Sequence, residues 1–159
     1  MPSSPDRWLA GTALACVGAV GVALASQHRY DMQPCPWCVL QRLLFLAIAL
    51  ACVLALAWRK RVGRRVGAGA GIALALCGVA AALWQHFQAA ASASCNLTLA
   101  DKIVSRWLQL DQLLPDVFEA RASCADAQVD LLGVPYDFWS LALFALAAAA
   151  LVAAIRSSR

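Results

Sequence analysis

The sequence predicts an all-α membrane protein: a four-transmembrane-helix bundle with a short interfacial helix in its second outer loop. Three observations predict it. The 159 residues are 62 % hydrophobic and only 14 % charged, where a soluble domain has about a quarter of its residues charged. Four apolar runs approach the roughly 20 residues that a membrane helix needs. Basic residues collect on one side of those runs and most acids on the other. At this length the chain, residues 1–159, is expected to form a single integral membrane domain. Its net charge of +4 is too unevenly spread to signal nucleic-acid binding.

The spans are expected over residues 8–26, 39–58, 66–87 and 136–155. Each is rich in Ala, Leu and Val, with an aromatic residue near at least one end, as interfacial anchors are. Backbone groups in hydrocarbon can bond only to one another, so these runs are helices. The stretch `ALASQ` from Ala23 to Gln27 resembles a signal-peptidase site. The apolar run before it exceeds the roughly 7–15 residues of a signal core, so the first span is read as a retained anchor. In the third span, `GAGAG` from Gly67 to Gly71 follows no strand and is not a nucleotide loop. Small residues at that spacing instead admit close helix packing.

Orientation follows from the charges. Arg7, the cluster Arg59, Lys60, Arg61, Arg64 and Arg65, and the tail residues Arg156 and Arg159 share one side, opposed only by Asp6. The other side carries most acids, among them Asp31, Asp101, Asp116, Glu119, Asp130 and Asp137. The positive-inside rule then puts both termini in the cytoplasm and residues 27–38 and 88–135 outside.

The first outer loop is short. The second is too long to lack structure of its own. Thr98 with Asp101 has capping-box form, and Ile103, Trp107, Leu110 and Leu114 follow at helical spacing until Pro115. That stripe suits a helix lying on the membrane surface, or equally one packed on the outer end of the bundle.

Of seven cysteines, Cys16, Cys52 and Cys77 fall inside spans, where a thiol behaves as a small hydrophobe. Cys35, Cys38, Cys95 and Cys124 all fall outside, two in each loop. Four thiols on an oxidising face should pair, and three connectivities are open. A bridge from Cys95 to Cys124 would stabilise by about 3–5 kcal/mol in the loop-entropy picture. One between Cys35 and Cys38 closes too short a loop to gain much, so its purpose is chemical rather than structural.

The first pair lies in `DMQPCPWCVLQR`, Asp31 to Arg42. A thiolate is the reactive form, and a helix N-terminus or a nearby cation stabilises it. Cys38 is expected at the N-terminus of the second span, with Arg42 one turn on. Cys35, between Pro34 and Pro36, is expected in an extended stretch without helix-end donors of its own. Arg42 either snorkels to the interface or serves that sulfur. A charge inside a span on the side poor in bases favours the functional role. `CPWC` resembles a glutaredoxin site, but the soluble strand–helix–strand context is missing. A four-cysteine zinc site is disfavoured because Cys95 and Cys124 lack knuckle spacing.

Taken together, these features resemble the bacterial disulfide bond formation protein B (DsbB) family over nearly the whole chain. The likeness rests on four spans, a C-x-x-C pair ahead of the second and an arginine four residues beyond it. It also rests on a second outer loop with one cysteine early and one late. `RWLQLDQLLPDVF` before Cys124 and `LLGVP` after it add to it. The resemblance implies a bacterial inner-membrane enzyme, active on the periplasmic face, that reoxidises a thioredoxin-fold dithiol oxidase like DsbA. It implies redox-active pairs Cys95–Cys124 and Cys35–Cys38, with electrons passing from the first to the second and then to a quinone, ubiquinone or menaquinone. Cys95 would take the partner's attack, Cys124 would exchange with Cys35, and Cys38 with Arg42 would face the quinone. His86, with Trp84 and Gln85 near the outer end of the third span, would wall the quinone pocket or belong to an interfacial polar cluster. Two departures from the family pattern, Pro36–Trp37 between the first cysteines and Val129 after Cys124, bear on redox tuning and loop docking.

Two other readings compete with this one. A structural four-span protein would hold its outer loops with permanent disulfides. A conduit carrying reducing power outward would need reactive mid-span thiols, for which only Cys16 and Cys77 are placed, with no polar neighbour to activate them.

Overall fold

The computed structural model describes residues 4–58, 60–89, 99–123, 130–131 and 133–157. Its long helices are α1 (Ser4–Tyr30), α2 (Pro36–Ala57), α3 (Arg61–Trp84) and α7 (Tyr136–Ser157). All four are apolar and long enough to cross a membrane. α1 packs on α2, α2 on α3, α3 on α7 and α7 back on α1, closing a four-helix ring. Gly71 meets Leu151 and Gly78 meets Phe144, so α3 and α7 run antiparallel.

The helices outrun the apolar runs that predict them. Extending a helix adds one backbone hydrogen bond per residue fixed, so it continues until something stops it. α1 stops where Asp31 turns left-handed at φ 52°, a common helix terminus when the residue is small and polar. α2 begins three residues earlier than expected because Cys35 is its N-cap and Pro36 its first helical residue, a position proline suits. The non-helical stretch between α1 and α2 is therefore only Asp31–Cys35. α3 runs on through a wider π-type turn, Gln85–Ala89.

In hydrocarbon, helices associate by close packing rather than by leaving water. The core shows this in the stacked rings of Phe45 and Phe144, whose centroids are 4.0 Å apart. Leu9, Ile48 and Leu151 fill the space around them. Cys16 and Cys52 are buried in the same cluster, whereas Cys77 faces outward. The `GAGAG` glycines divide as helical geometry requires. A Cβ on Gly67 would lie 2.4 Å from that of Ala55, and one on Gly71 would lie 2.7 Å from Leu151, while Gly69 faces open space. At the end holding both termini, Arg64 grips Asp6 through Nε at 2.8 Å and Nη2 at 3.0 Å, tying α1 to α3.

The opposite end is capped by the second outer loop. One helix continuing from the capping box at Thr98 is not what forms there; Thr98 itself lies outside the described residues. A single turn, α4 (Leu99–Asp101), passes into a π-type turn over Lys102–Trp107 and breaks at Gln109, which is left-handed at φ 50°. Two further turns follow, α5 (Leu110–Leu113) and α6 (Pro115–Phe118). Pro115 opens a turn as well as closing the preceding run. Ala100, Val104 and Phe118 pack against Cys35, Trp37 and Val39 of the bundle. Trp107 and Leu114, from the predicted stripe, are exposed. A short hairpin, β1 (Asp130–Leu131) with β2 (Val134–Pro135), pairs Asp130 with Pro135 and leads into α7.

Candidate functional site

The site forms at the start of α2 because of what `CPWC` does to the backbone. Cys35 is extended, at φ −85° and ψ 166°, and its sulfur accepts the N–H of Cys38 at 3.3 Å. Its carbonyl takes the first helical bond, from Val39 at 3.0 Å. Proline at the first helical position then commits the chain to the helix. The result sets Cys35 Sγ and Cys38 Sγ 2.8 Å apart. A disulfide requires about 2.05 Å, so a small shift separates this contact from the bond. The expectation that Cys35 has no helix-end donor is overturned, because as N-cap it holds one itself.

The two sulfurs face different surroundings. Cys35 is fully buried, covered by Phe118, Ala100 and Val104 of the loop. Pro34, just before it, accepts backbone bonds from Arg121 at 3.0 Å and Ala122 at 3.3 Å. The segment leading to Cys124 is thus docked on the segment leading to Cys35. Cys38 is partly accessible and opens on a cavity of about 320 Å³.

That cavity lies between α1, α2 and α7. Its polar end carries Cys38, Gln41, Arg42, Gln85, Tyr136 and Asp137, and its walls are Ala15, Ala19, Val20, Phe45 and Leu143. A second cavity of about 570 Å³ shares Ala15, Phe45 and Leu143 with it and continues along α1 and α7 to Arg7 and Trp8. A polar end and an apolar track along α1 and α7 suit an amphiphile with a polar head and an apolar tail.

The polar groups hold one another. Arg42 is buried, and its Nη1 donates to Gln27 Oε1 at 2.8 Å and to the carbonyl of Val117 at 3.0 Å. The guanidinium therefore stands on the cavity wall while pinning the outer loop. Gln41 Nε2 donates to Gln85 Oε1 at 2.8 Å, and Gln85 Nε2 reaches Cys38 Sγ at 3.4 Å and also contacts Asp137 Oδ1. His86 is not itself on the cavity wall. It lies behind Asp137, its Nδ1 3.6 Å from Oδ2, between the rings of Phe87 and Phe138.

The model of the family described as disulfide bond formation protein DsbB matches residues 5–154. The chain belongs to the DsbB family. A disulfide bond formation protein B of Herminiimonas arsenicoxydans is 33 % identical over 137 residues, covering 86 % of this chain and 85 % of that one. The corresponding protein of Aromatoleum aromaticum is 34 % identical, covering 84 % and 81 %. That of Pseudomonas syringae pv. tomato is 33 % identical over 156 residues, covering 96 % and 90 %. No solved structure matches the chain. With four helices able to cross a bilayer, this DsbB-family chain is a multi-pass protein of the bacterial inner membrane.

Of the residues that the sequence singles out, Cys35, Cys38 and Arg42 come together here, with His86 one shell behind. Cys95, Cys124 and Val129 lie outside the described residues. Sequence reasoning missed Gln27, Gln41, Tyr136 and Asp137 as parts of the site. The signal for Gln41 and Asp137 was present: both are polar side chains at the edge of a membrane span, where such groups usually serve function.

Proposed function

We propose that this protein is a membrane oxidoreductase that generates disulfides by passing electrons from Cys95/Cys124 to Cys35/Cys38 and on to a quinone. Its aqueous substrate is a reduced thioredoxin-fold dithiol oxidase of the DsbA kind. Both termini are cytoplasmic, in keeping with the basic cluster at that end, and the site faces the periplasm. The single domain spans the whole chain. The observation that carries this reading is the contact of Cys35 and Cys38 at 2.8 Å, with Cys38 and Arg42 on the wall of a bilayer-level cavity.

A bound quinone supplies a two-electron oxidant that dissolves in the bilayer. The protein's own residues do the rest. Cys95 takes the partner's thiolate, and Cys124 then exchanges with Cys35, next to which its segment is docked. Cys35 must be uncovered for that exchange, so the Phe118 turn has to lift. Cys38, released, carries negative charge at the helix end, where peptide N–H groups favour it. Arg42, always protonated, stabilises charge on the cavity side. Departure of the oxidised partner frees Cys95 to retake Cys124, which leaves Cys35 and Cys38 as the reduced pair. Closing the Cys35–Cys38 bond then gives up their two electrons to the acceptor.

Purified full-length protein, a reduced DsbA-like partner and a short-tailed ubiquinone analogue test this. Quinone absorbance should fall in step with partner oxidation. Disulfides that survive a glutathione buffer, with no quinone consumed, would favour the structural four-span reading instead.

A further inference from the structure

We propose that Asp137 gives the cavity's electron acceptor its second proton, and that His86 is the route by which Asp137 recovers it. This rests on the quinone-reducing reading above and extends it to the protons. A quinone leaves as quinol only after gaining two electrons and two protons. The Cys35/Cys38 pair, present as one thiol and one thiolate, releases two electrons and one proton as its S–S bond forms. One proton is missing. If Asp137 begins as the neutral acid, thiol, thiolate, acid and quinone become disulfide, carboxylate and quinol, with atoms and charge in balance. The carboxylate then takes back a proton from the medium, matching the one that the partner's dithiol released there on being oxidised.

The charged or titratable groups around the cavity are Cys38 and Arg42 from α2, Tyr136 and Asp137 from α7, and His86 behind Asp137. α1 lines it only with apolar side chains. Arg42 does not release a proton in proteins, and a phenol ordinarily holds its own to about pH 10. Asp137 differs from both in having a way out. One carboxylate oxygen contacts Gln85, which also reaches Cys38, and the other stands 3.6 Å from His86 Nδ1. The His86 side chain is 26 % exposed against 10 % for that of Asp137. Carboxyl and imidazole therefore lead from the cavity toward the more exposed outer end of α3. At 3.6 Å the imidazole is beyond hydrogen-bond range, so transfer needs a small approach or one intervening water. An acid in the first turn of α7 would also serve the helix dipole, so the test has to separate the two roles.

The experiment uses full-length protein in detergent, pre-reduced and mixed in a single turnover with a short-tailed ubiquinone analogue across a range of pH. In wild type the quinone step should slow as pH rises through the titration of the carboxyl. Asp137→Asn should slow it about 100-fold, the ordinary share of a general acid, and remove that pH limb. Asp137→Glu should restore much of both. Thiol exchange with the partner should be unchanged in all three. His86→Gln should leave the first turnover near normal, slow later ones and respond to added imidazole. Infrared difference spectra of wild type labelled with 13C at the Asp carboxyl should show an acid band lost during turnover, a readout that does not need the variants to fold. A wild-type rate and pH profile in Asp137→Asn, equal loss of quinone reduction and thiol exchange, or no labelled acid band would overturn the proposal. Failure of wild type itself to reduce the quinone would instead overturn the functional reading on which it rests.

Discussion

The sulfur of Cys35 accepts the backbone N–H of Cys38 at 3.3 Å, so one cysteine of the pair caps the helix that carries the other. The N-cap geometry brings the two sulfurs together without a special loop. It also gives Cys35 a structural role beside the chemical one proposed for it, and the two can be separated by substitution. Cys35→Ser should abolish disulfide generation yet keep the cap, since serine is a favoured N-cap residue. Cys35→Ala should abolish activity and also destabilise the protein by about 1 kcal/mol. Thermal unfolding in one detergent compares them. Equal midpoints for the two variants would mean that a side-chain cap at this position adds nothing to stability.

Arg42 has two duties in the structure, and its variants should show both. Removing it leaves Gln27 Oε1 and the Val117 carbonyl without their donor, at about 1–3 kcal/mol for each group that stays buried and unsatisfied. It also removes the positive charge beside Cys38. Arg42→Ala should therefore lower quinone reduction by about 100-fold or more, a loss of several kcal/mol in a low-dielectric site. Partner exchange should fall far less, through loosening of the Pro115–Phe118 turn. Arg42→Lys should be intermediate, keeping the charge without the planar fork. The two half-reactions, followed separately, check this. Equal loss in both would leave Arg42 a structural role only.

Four helices and the C-x-x-C with its arginine were legible because each depends on local sequence. Long apolar runs have one solution in a bilayer, and `CPWC` carries its own turn chemistry. Less legible was anything requiring two distant segments. Gln85 sits against Cys38 and Asp137 only because α2, α3 and α7 meet at one level, and no spacing in the sequence reports that. The sequence offers His86, with Trp84 and Gln85, as a wall of the pocket, but successive residues of a helix point in different directions, and the turn after α3 gives the wall to Gln85. The second outer loop misled in another way. Its stripe predicts one helix, whereas the need to seat Ala100, Val104 and Phe118 over Cys35 breaks it into turns.

Cys95 should be the residue that meets the partner protein, and its loss should leave the bilayer half of the site intact. The two pairs lie in different loops and are expected to serve different substrates. Cys95→Ser should prevent the mixed disulfide with a DsbA-like partner while the Cys35–Cys38 disulfide still forms. Thiol trapping of each species decides it. An undiminished mixed disulfide in Cys95→Ser would give the first attack to another cysteine.

The glycines of α3 allow a prediction about packing that is independent of the chemistry. A Cβ on Gly78 would lie 2.4 Å from the ring of Phe144, which stacks on Phe45 at 4.0 Å. Phe45 also forms a wall of the cavity beside Cys38. Gly78→Ala must therefore push α3 and α7 apart or turn Phe144 off its partner, at about 1–3 kcal/mol for overpacking a filled core. Gly69→Ala meets nothing within 4 Å and should be neutral or slightly stabilising, because alanine favours a helix over glycine by up to about 1 kcal/mol. Thermal unfolding should rank Gly69→Ala at or above wild type and Gly78→Ala well below. The Gly78 variant should also bind short-tailed quinone more weakly, since a displaced Phe144 shifts Phe45 and with it the cavity wall. Equal stability of the two variants would show that α3 and α7 do not pack through Gly78 in the membrane.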